Sequence, residues 1–156
     1  MKKAILILWL LAAIIAITGC GAQQPKEEPA GETIPLAEKV KSVIPDTEEL
    51  AELTEEDLTD LLGTEPEDCT EFVFLQSDGT DGREVLAIRA KDKNAADRVA
   101  GQVRNYLERR RNEMQNYIPE LYQLLMKTNV QTGSLTVVLV VGQDAEAESQ
   151  KILAGE

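Results

Sequence analysis

Leu135-Thr136-Val137-Val138-Leu139-Val140-Val141 is apolar at every position except Thr136. Successive side chains of a strand point to opposite faces of its sheet. A strand of this composition therefore buries both faces, as a central strand covered on two sides or by a partner. Thr132-Gly133-Ser134 just before it is tight-turn chemistry, and Asn129-Val130-Gln131 is a short strand leading into that turn. These pieces make a hairpin.

A second hairpin lies upstream. Glu71-Phe72-Val73-Phe74-Leu75 is aromatic and branched, and Glu84-Val85-Leu86-Ala87-Ile88-Arg89 alternates. The turn between them, Ser77-Asp78-Gly79-Thr80-Asp81-Gly82, is rich in Gly and Asp. Leu86 and Ile88 fall on one face, with Val85, Ala87 and Arg89 on the other.

Helices fill the intervals. Ile34–Val43 carries Leu36, Val40 and Val43 on one side and stops before Pro45. Thr54 begins a helix as a side-chain cap, acids follow in its first turn, Leu58, Leu61 and Leu62 recur at helical spacing, and Gly63 ends it. Asp92 starts the longest helix, which runs to about Met114 with a stripe of Ala96, Val99, Val103, Tyr106, Leu107 and Met114. Pro119 suits the first turn of the next, whose inward side is Leu121, Leu124 and Leu125. Ala145–Leu153 forms a last amphipathic helix. The order helix, hairpin, two helices, hairpin, helix gives an α+β fold. Its expected form is a four-stranded, mainly antiparallel sheet of two hairpins, with helices packed largely on one face.

The N-terminal residues give an address. Lys2 and Lys3 precede an unbroken apolar run, Ala4–Ile17, which ends at Thr18-Gly19-Cys20. Charge, apolar run and small residues are the three parts of a secretory signal. The run is shorter than the roughly 20 residues that span a bilayer. The pattern resembles a lipoprotein signal, cut between Gly19 and Cys20, with Cys20 lipidated. Two acyl chains on that thiol suffice for stable anchoring, where one is marginal. The expected organisation is a signal peptide at 1–19 and the lipidated Cys with a flexible linker at 20–33. One α+β domain follows at 34–156, with its core at about 54–153. The linker holds Gln, Pro and Glu and too little apolar surface to fold. The expected location is the extracytoplasmic face of the cell membrane.

Composition narrows the chemistry. The net charge is −12, and loss of a leader holding Lys2 and Lys3 makes it more negative. Such a chain is repelled by nucleic acid and anionic surfaces, so no nucleic-acid partner is expected. It has no His, which removes the usual general acid–base and the commonest metal ligand. Ser-His-Asp and Cys-His catalysis are excluded, and so are zinc sites of the Cys/His kind. Cys69 is left without an intramolecular partner once Cys20 is lipidated, and reads as a half-buried small residue. Paired-carboxylate hydrolysis needs only Asp and Glu and stays open.

Two clusters stand out as candidate binding surfaces. Arg104, Arg109, Arg110 and Arg111 are the basic cluster, able to hold a phosphate or carboxylate. Their ordinary role is to sit at a helix C-terminus, because three adjacent residues cannot share one helix face. Tyr117, Glu120 and Tyr122, around Pro119, form an aromatic and acidic patch, whose ordinary role is a packed helix corner. Asp78 and Asp81 lack the spacing of a calcium loop and read as a plain turn.

Several segments, taken in order, resemble a known family. They are Gly63-Thr64-Glu65-Pro66-Glu67-Asp68, Glu84-Val85-Leu86-Ala87-Ile88, Lys91-Asp92 with Ala95-Ala96, and Arg109-Arg110-Arg111. Tyr117-Ile118-Pro119-Glu120 follows, and then Gly133 leading into Val137-Val138-Leu139-Val140. Leu61–Leu153 thereby resembles domain of unknown function four-three-five-eight, an uncharacterised lipoprotein family of Gram-positive, largely clostridial bacteria. The resemblance implies an envelope lipoprotein and carries no activity, so no catalytic residue, cofactor or metal ligand is assigned. The expected function is a non-enzymatic interaction or accessory module at the envelope, with the membrane and an envelope protein as partners. The alternatives are a small carboxylate-based envelope hydrolase and a small-ligand-binding lipoprotein.

Overall fold

The computed structural model describes residues 34–79 and 81–154. The expected signal peptide, its cleavage site at Gly19 and Cys20, and the linker to Thr33 lie outside the described residues, as does Thr80 in the first turn. The described elements are α1 (Leu36–Val43), β1 (Ala51–Glu52), α2 (Glu55–Leu62), β2 (Cys69–Gln76) and β3 (Glu84–Ala90). They continue with α3 (Lys93–Met114), α4 (Pro119–Lys127), β4 (Gln131–Thr132), β5 (Thr136–Val141) and α5 (Ala145–Leu153). None of these helices is long and apolar enough to cross a membrane.

Local chemistry sets the boundaries. The Thr54 hydroxyl accepts the Asp57 N–H while the Asp57 carboxylate accepts the Thr54 N–H, a reciprocal cap on α2. Gly63 closes α2 at φ 71. The Asp92 carboxylate caps α3 by accepting the Ala95 N–H at 2.8 Å. Gly82 turns the first hairpin at φ 67, and a Cβ there would collide with Leu121 of α4.

The sheet is antiparallel and five-stranded, in the order β1-β2-β3-β5-β4. Both expected hairpins form. The fifth strand, β1, corrects the expectation of four. Its two side chains are exposed, and it is defined by pairing Ala51 and Glu52 with Gln76 and Leu75. No side-chain pattern announces such a strand.

The helices occupy both faces, which corrects the expectation of one. On the first face α2, α3 and α4 bury Leu58, Val103, Tyr106 and Leu125 against Phe74, Leu86, Ile88 and Leu139. On the second, Leu36 and Val40 of α1 and Ile152 of α5 cover Val73, Val85, Ala87, Val138 and Val140. The physical reason is the two-sided apolar character of β5, buried at every position. Its register with β3, Glu84 opposite Val141 and Val85 opposite Val140, carries that two-sidedness across the sheet.

Candidate functional site

The two clusters singled out in the sequence are not brought together as one site. Arg109 donates to the Leu61 carbonyl at the end of α2 and stands over the Tyr106 ring. Arg111 donates to the Leu125 and Thr128 carbonyls at the end of α4, and pairs with Glu108. The long helix thus uses two arginines to cap the negative ends of its neighbours, one on each side. Arg104 is exposed and shares a shallow groove of about 250 Å³ with Arg111 and Asn129. Tyr117 is 78% exposed, Glu120 is exposed and Tyr122 half-buried, so the corner is not a packed aromatic cluster.

Arg110 points elsewhere. It pairs with Glu84, which is fully buried. The same Glu84 oxygen, Oε2, accepts from the Tyr106 hydroxyl at 3.1 Å and from Gln76 Nε2 at 3.3 Å. Oε1 of Glu84 has no hydrogen-bond partner among the described residues. Burial pushes the Tyr106 hydroxyl up to about 12, so it stays protonated and donates. Burial also lowers the Arg110 pKa, the direction expected for a desolvated cation.

Glu84 and Val141 mark one end of the sheet, and there the largest of the described clefts opens, about 380 Å³. Three connections distant in sequence build it. The segment after α1 contributes Ile44, Pro45, Asp46 and Leu50. The β2–β3 turn contributes Asp81 and Arg83, and the β5–α5 loop contributes Gly142, Gln143 and Asp144. Glu148 of α5 and Leu124 of α4 close the sides. Val85 and Val140 give an apolar wall. Asp46 turns its loop at φ 58, a left-handed conformation that Asp adopts more readily than most residues.

The charge around this cleft is lopsided. Asp46, Asp81, Glu84, Asp144 and Glu148 line it, against a single cation, Arg83. Arg83 is already engaged, with Glu49 at 3.5 Å and the Pro45 carbonyl at 3.2 Å. Asp81 is held below the usual carboxylate range by the Ser77 side chain, aided by the Arg83 N–H. Glu148 is half-buried, and no residue among those described forms an ion pair or hydrogen bond with its carboxylate. Burial, and then the charge of Asp144, raise its pKa, while Lys151 and Arg83 offset part of this. Its Oε2 lies 3.8 Å from where a Cβ on Gly142 would stand, in ordinary contact. Among the described residues no group of three or more His, Cys, Asp or Glu is arranged to hold a metal ion.

Cys69 is half-buried, as its sequence context suggests. Burial pushes its thiol up to about 11, with Asp68 and Glu55 adding to the shift, so it stays an unreactive thiol at neutral pH. Asp78 and Asp81 sit in a plain turn, where the Ser77 hydroxyl accepts the Gly79 N–H.

The sequence reading missed Arg83, Asp144 and Glu148, which no local pattern unites. Glu84 carried a usable signal. It shares the parity of Leu86 and Ile88, and so belongs to an inward face.

A family model described as a domain of unknown function (DUF4358) matches residues 44–142. No curated protein matches the chain, and no solved structure matches it.

Proposed function

We propose that this chain, which belongs to the DUF4358 family, is a non-enzymatic interaction or accessory module. In this reading it is held at the extracytoplasmic face of a Gram-positive cell membrane by lipid on Cys20. The anchor rests on the residues Lys2 to Cys20, whose charge, apolar run and small residues before the thiol make a lipoprotein signal. The contact surface rests on a single observation: the sheet-end cleft joins an apolar wall to a carboxylate, Glu148, that no described residue pairs with or hydrogen-bonds. Concave sites with a few convergent polar groups are where ligands and partner side chains dock. Of the α3 cluster, Arg109, Arg110 and Arg111 serve neighbouring elements, and Arg104 faces a shallower and smaller groove than this cleft.

The anchor is tested by labelled-palmitate incorporation and membrane fractionation in a Gram-positive host. The wild-type chain takes up label and pellets with membranes, and Cys20→Ala does neither. Equal membrane association of the two would sink the anchor.

One observation favours a second reading, a carboxylate-based envelope hydrolase. Glu148 holds its proton to higher pH than an ordinary Glu, as a general acid must, and a second carboxyl, Asp144, stands beside it. Release of wall glycan or peptide fragments by the purified protein, abolished by Glu148→Gln, would establish that reading over the first.

A further inference from the structure

We propose that the sheet-end cleft binds an aliphatic primary amine, an ammonium group on a short apolar stem. This is the chemistry shared by a free alkylamine and a lysyl side chain. The inference rests on the reading of the chain as a binding module and names what its cleft takes.

The volume comes first. About 380 Å³ lies within the roughly 300–1,000 Å³ of small-molecule sites. One wall is made by Leu50, Val85 and Val140, which would cover a methylene stem. Asp144 and Glu148 stand at the loop end of the same cleft. A carboxylate beside apolar surface and a second acid is costly to keep ionised, and a cation placed between them offsets that cost. Among the described residues no cation pairs with Glu148, and Lys151 and Arg83 act on it only at longer range. Arg83 is turned to Glu49 and the Pro45 carbonyl, and Arg110 to the buried Oε2 of Glu84. Glu84, itself a lining residue and fully buried, keeps Oε1 without a partner among the described residues. That oxygen is itself shielded from solvent, so Glu148 and Asp144 are the carboxylates a ligand would meet.

Other classes fit less well. An anionic ligand meets five acids and an engaged arginine. A hard divalent ion wants six or more oxygens, and half of this cleft is aliphatic. An ammonium on a hydrocarbon stem matches both halves.

The test is a titration of the full-length chain in non-ionic detergent, followed by amide NMR shifts. The probes are pentylamine, Nα-acetyl-lysine amide and, as the counter-probe, pentanoate. Pentylamine should shift the Val140, Gly142 and Asp144 amides saturably, with pentanoate at least about tenfold weaker. Glu148→Gln should weaken the amine by about ten- to a hundredfold, the range for a hydrogen bond to a charged group. Gly142→Leu, which fills the cleft, should abolish it. Unchanged shifts elsewhere show that each variant folds. If acetyl-lysine amide alone binds, the source is a peptide side chain; if both amines bind, a free amine suffices, and either result supports the proposal. Equal affinity for pentanoate, shifts that map away from the cleft, or full affinity in Glu148→Gln would overturn it. Absence of amine binding in a chain that still needs Cys20 to reach membranes overturns the ligand and leaves the anchored module standing.

Discussion

The two faces of the sheet are covered by different means. On the first, three helices are tied together by polar groups as well as by area. Arg109 reaches α2, Arg111 reaches α4, and Arg110 descends to the buried Glu84. On the second, α1 and α5 lie on an aliphatic wall. The polar fastenings there are a cross-strand pair that holds α1 and a bond from Gln131 of β4 to the Glu146 carbonyl of α5. Glu71 accepts the Leu36 N–H and pairs with Arg89, which also donates to the Ile34 carbonyl. The difference teaches how each cover is specified. Directional bonds to named atoms fix the first in register. Apolar area holds the second, and a few side-chain bonds orient it. The family match agrees with this division, since residues 44–142 contain α2, α3 and α4 and exclude α1 and α5.

The largest effect should come from the buried pair. Removing one member leaves the other charged in a place where water cannot reach it. Arg110→Met should therefore cost about 3–5 kcal/mol in urea unfolding, because Glu84 is left uncompensated. The double change Glu84→Leu with Arg110→Met should recover most of that loss, as apolar replacements of buried pairs often do. A single Arg110→Met variant as stable as wild type would erase the distinction between the faces.

The second face should fail by area. Leu36 is fully buried against the aliphatic wall. Leu36→Ala should cost about 2–5 kcal/mol, the range for a buried leucine truncated to alanine. Hydrogen exchange sharpens the comparison. The loss should appear first in the amides of α1, while the middle of α3 keeps its protection. Equal loss of protection on both faces would mean that one cooperative unit spans the sheet.

Much of this arrangement was legible before the structure, and the parts that were not share a physical cause. Caps at Thr54 and Asp92, the stop at Gly63 and Pro at the start of α4 are local chemistry, and each stands where the residues put it. The two-sided burial of β5 was equally plain in Leu135–Val141. Placing the helices largely on one face left the other side of that stretch to a partner, and α1 and α5 supply that cover instead. Strand β1 was silent, because it is made by backbone pairing with β2 and its side chains face solvent. The cleft was silent for a related reason. Ile44, Arg83 and Glu148 meet only through the order of the strands, and on its own helix Glu148 looks like any solvated acid. Among the arginines, adjacency predicted divergence correctly. Their targets, the carbonyl ends of the flanking helices, depend on packing that no spacing reveals.

The smallest effect tests whether every polar fastening on the first face works as the buried one does. Asp68 joins the start of β2 to α3 through Arg98 at 2.7 Å and to Lys91 at 3.0 Å. Arg98, followed by Lys91, holds its carboxyl down at about 2, against an ordinary value of 3.8. A depressed folded-state pKa means that this stability is fully present above the ordinary value. It is lost as pH falls from about 3.8 through about 2. Both cations are substantially exposed, so salt screens the attraction. The wild-type advantage over Asp68→Asn should therefore be flat above about pH 4, close toward pH 2, and shrink at high salt. The cost of Arg110→Met should resist salt, because its pair is buried. The Asp68 carbonyl also accepts the Lys91 N–H, and this contact does not titrate. Asp68→Asn leaves that contact in place, so an advantage that persisted at about pH 2 and in high salt would show that the ion pairs do not carry it. The first face would then be held by its buried pair and its helix-end arginines, with surface charge adding nothing.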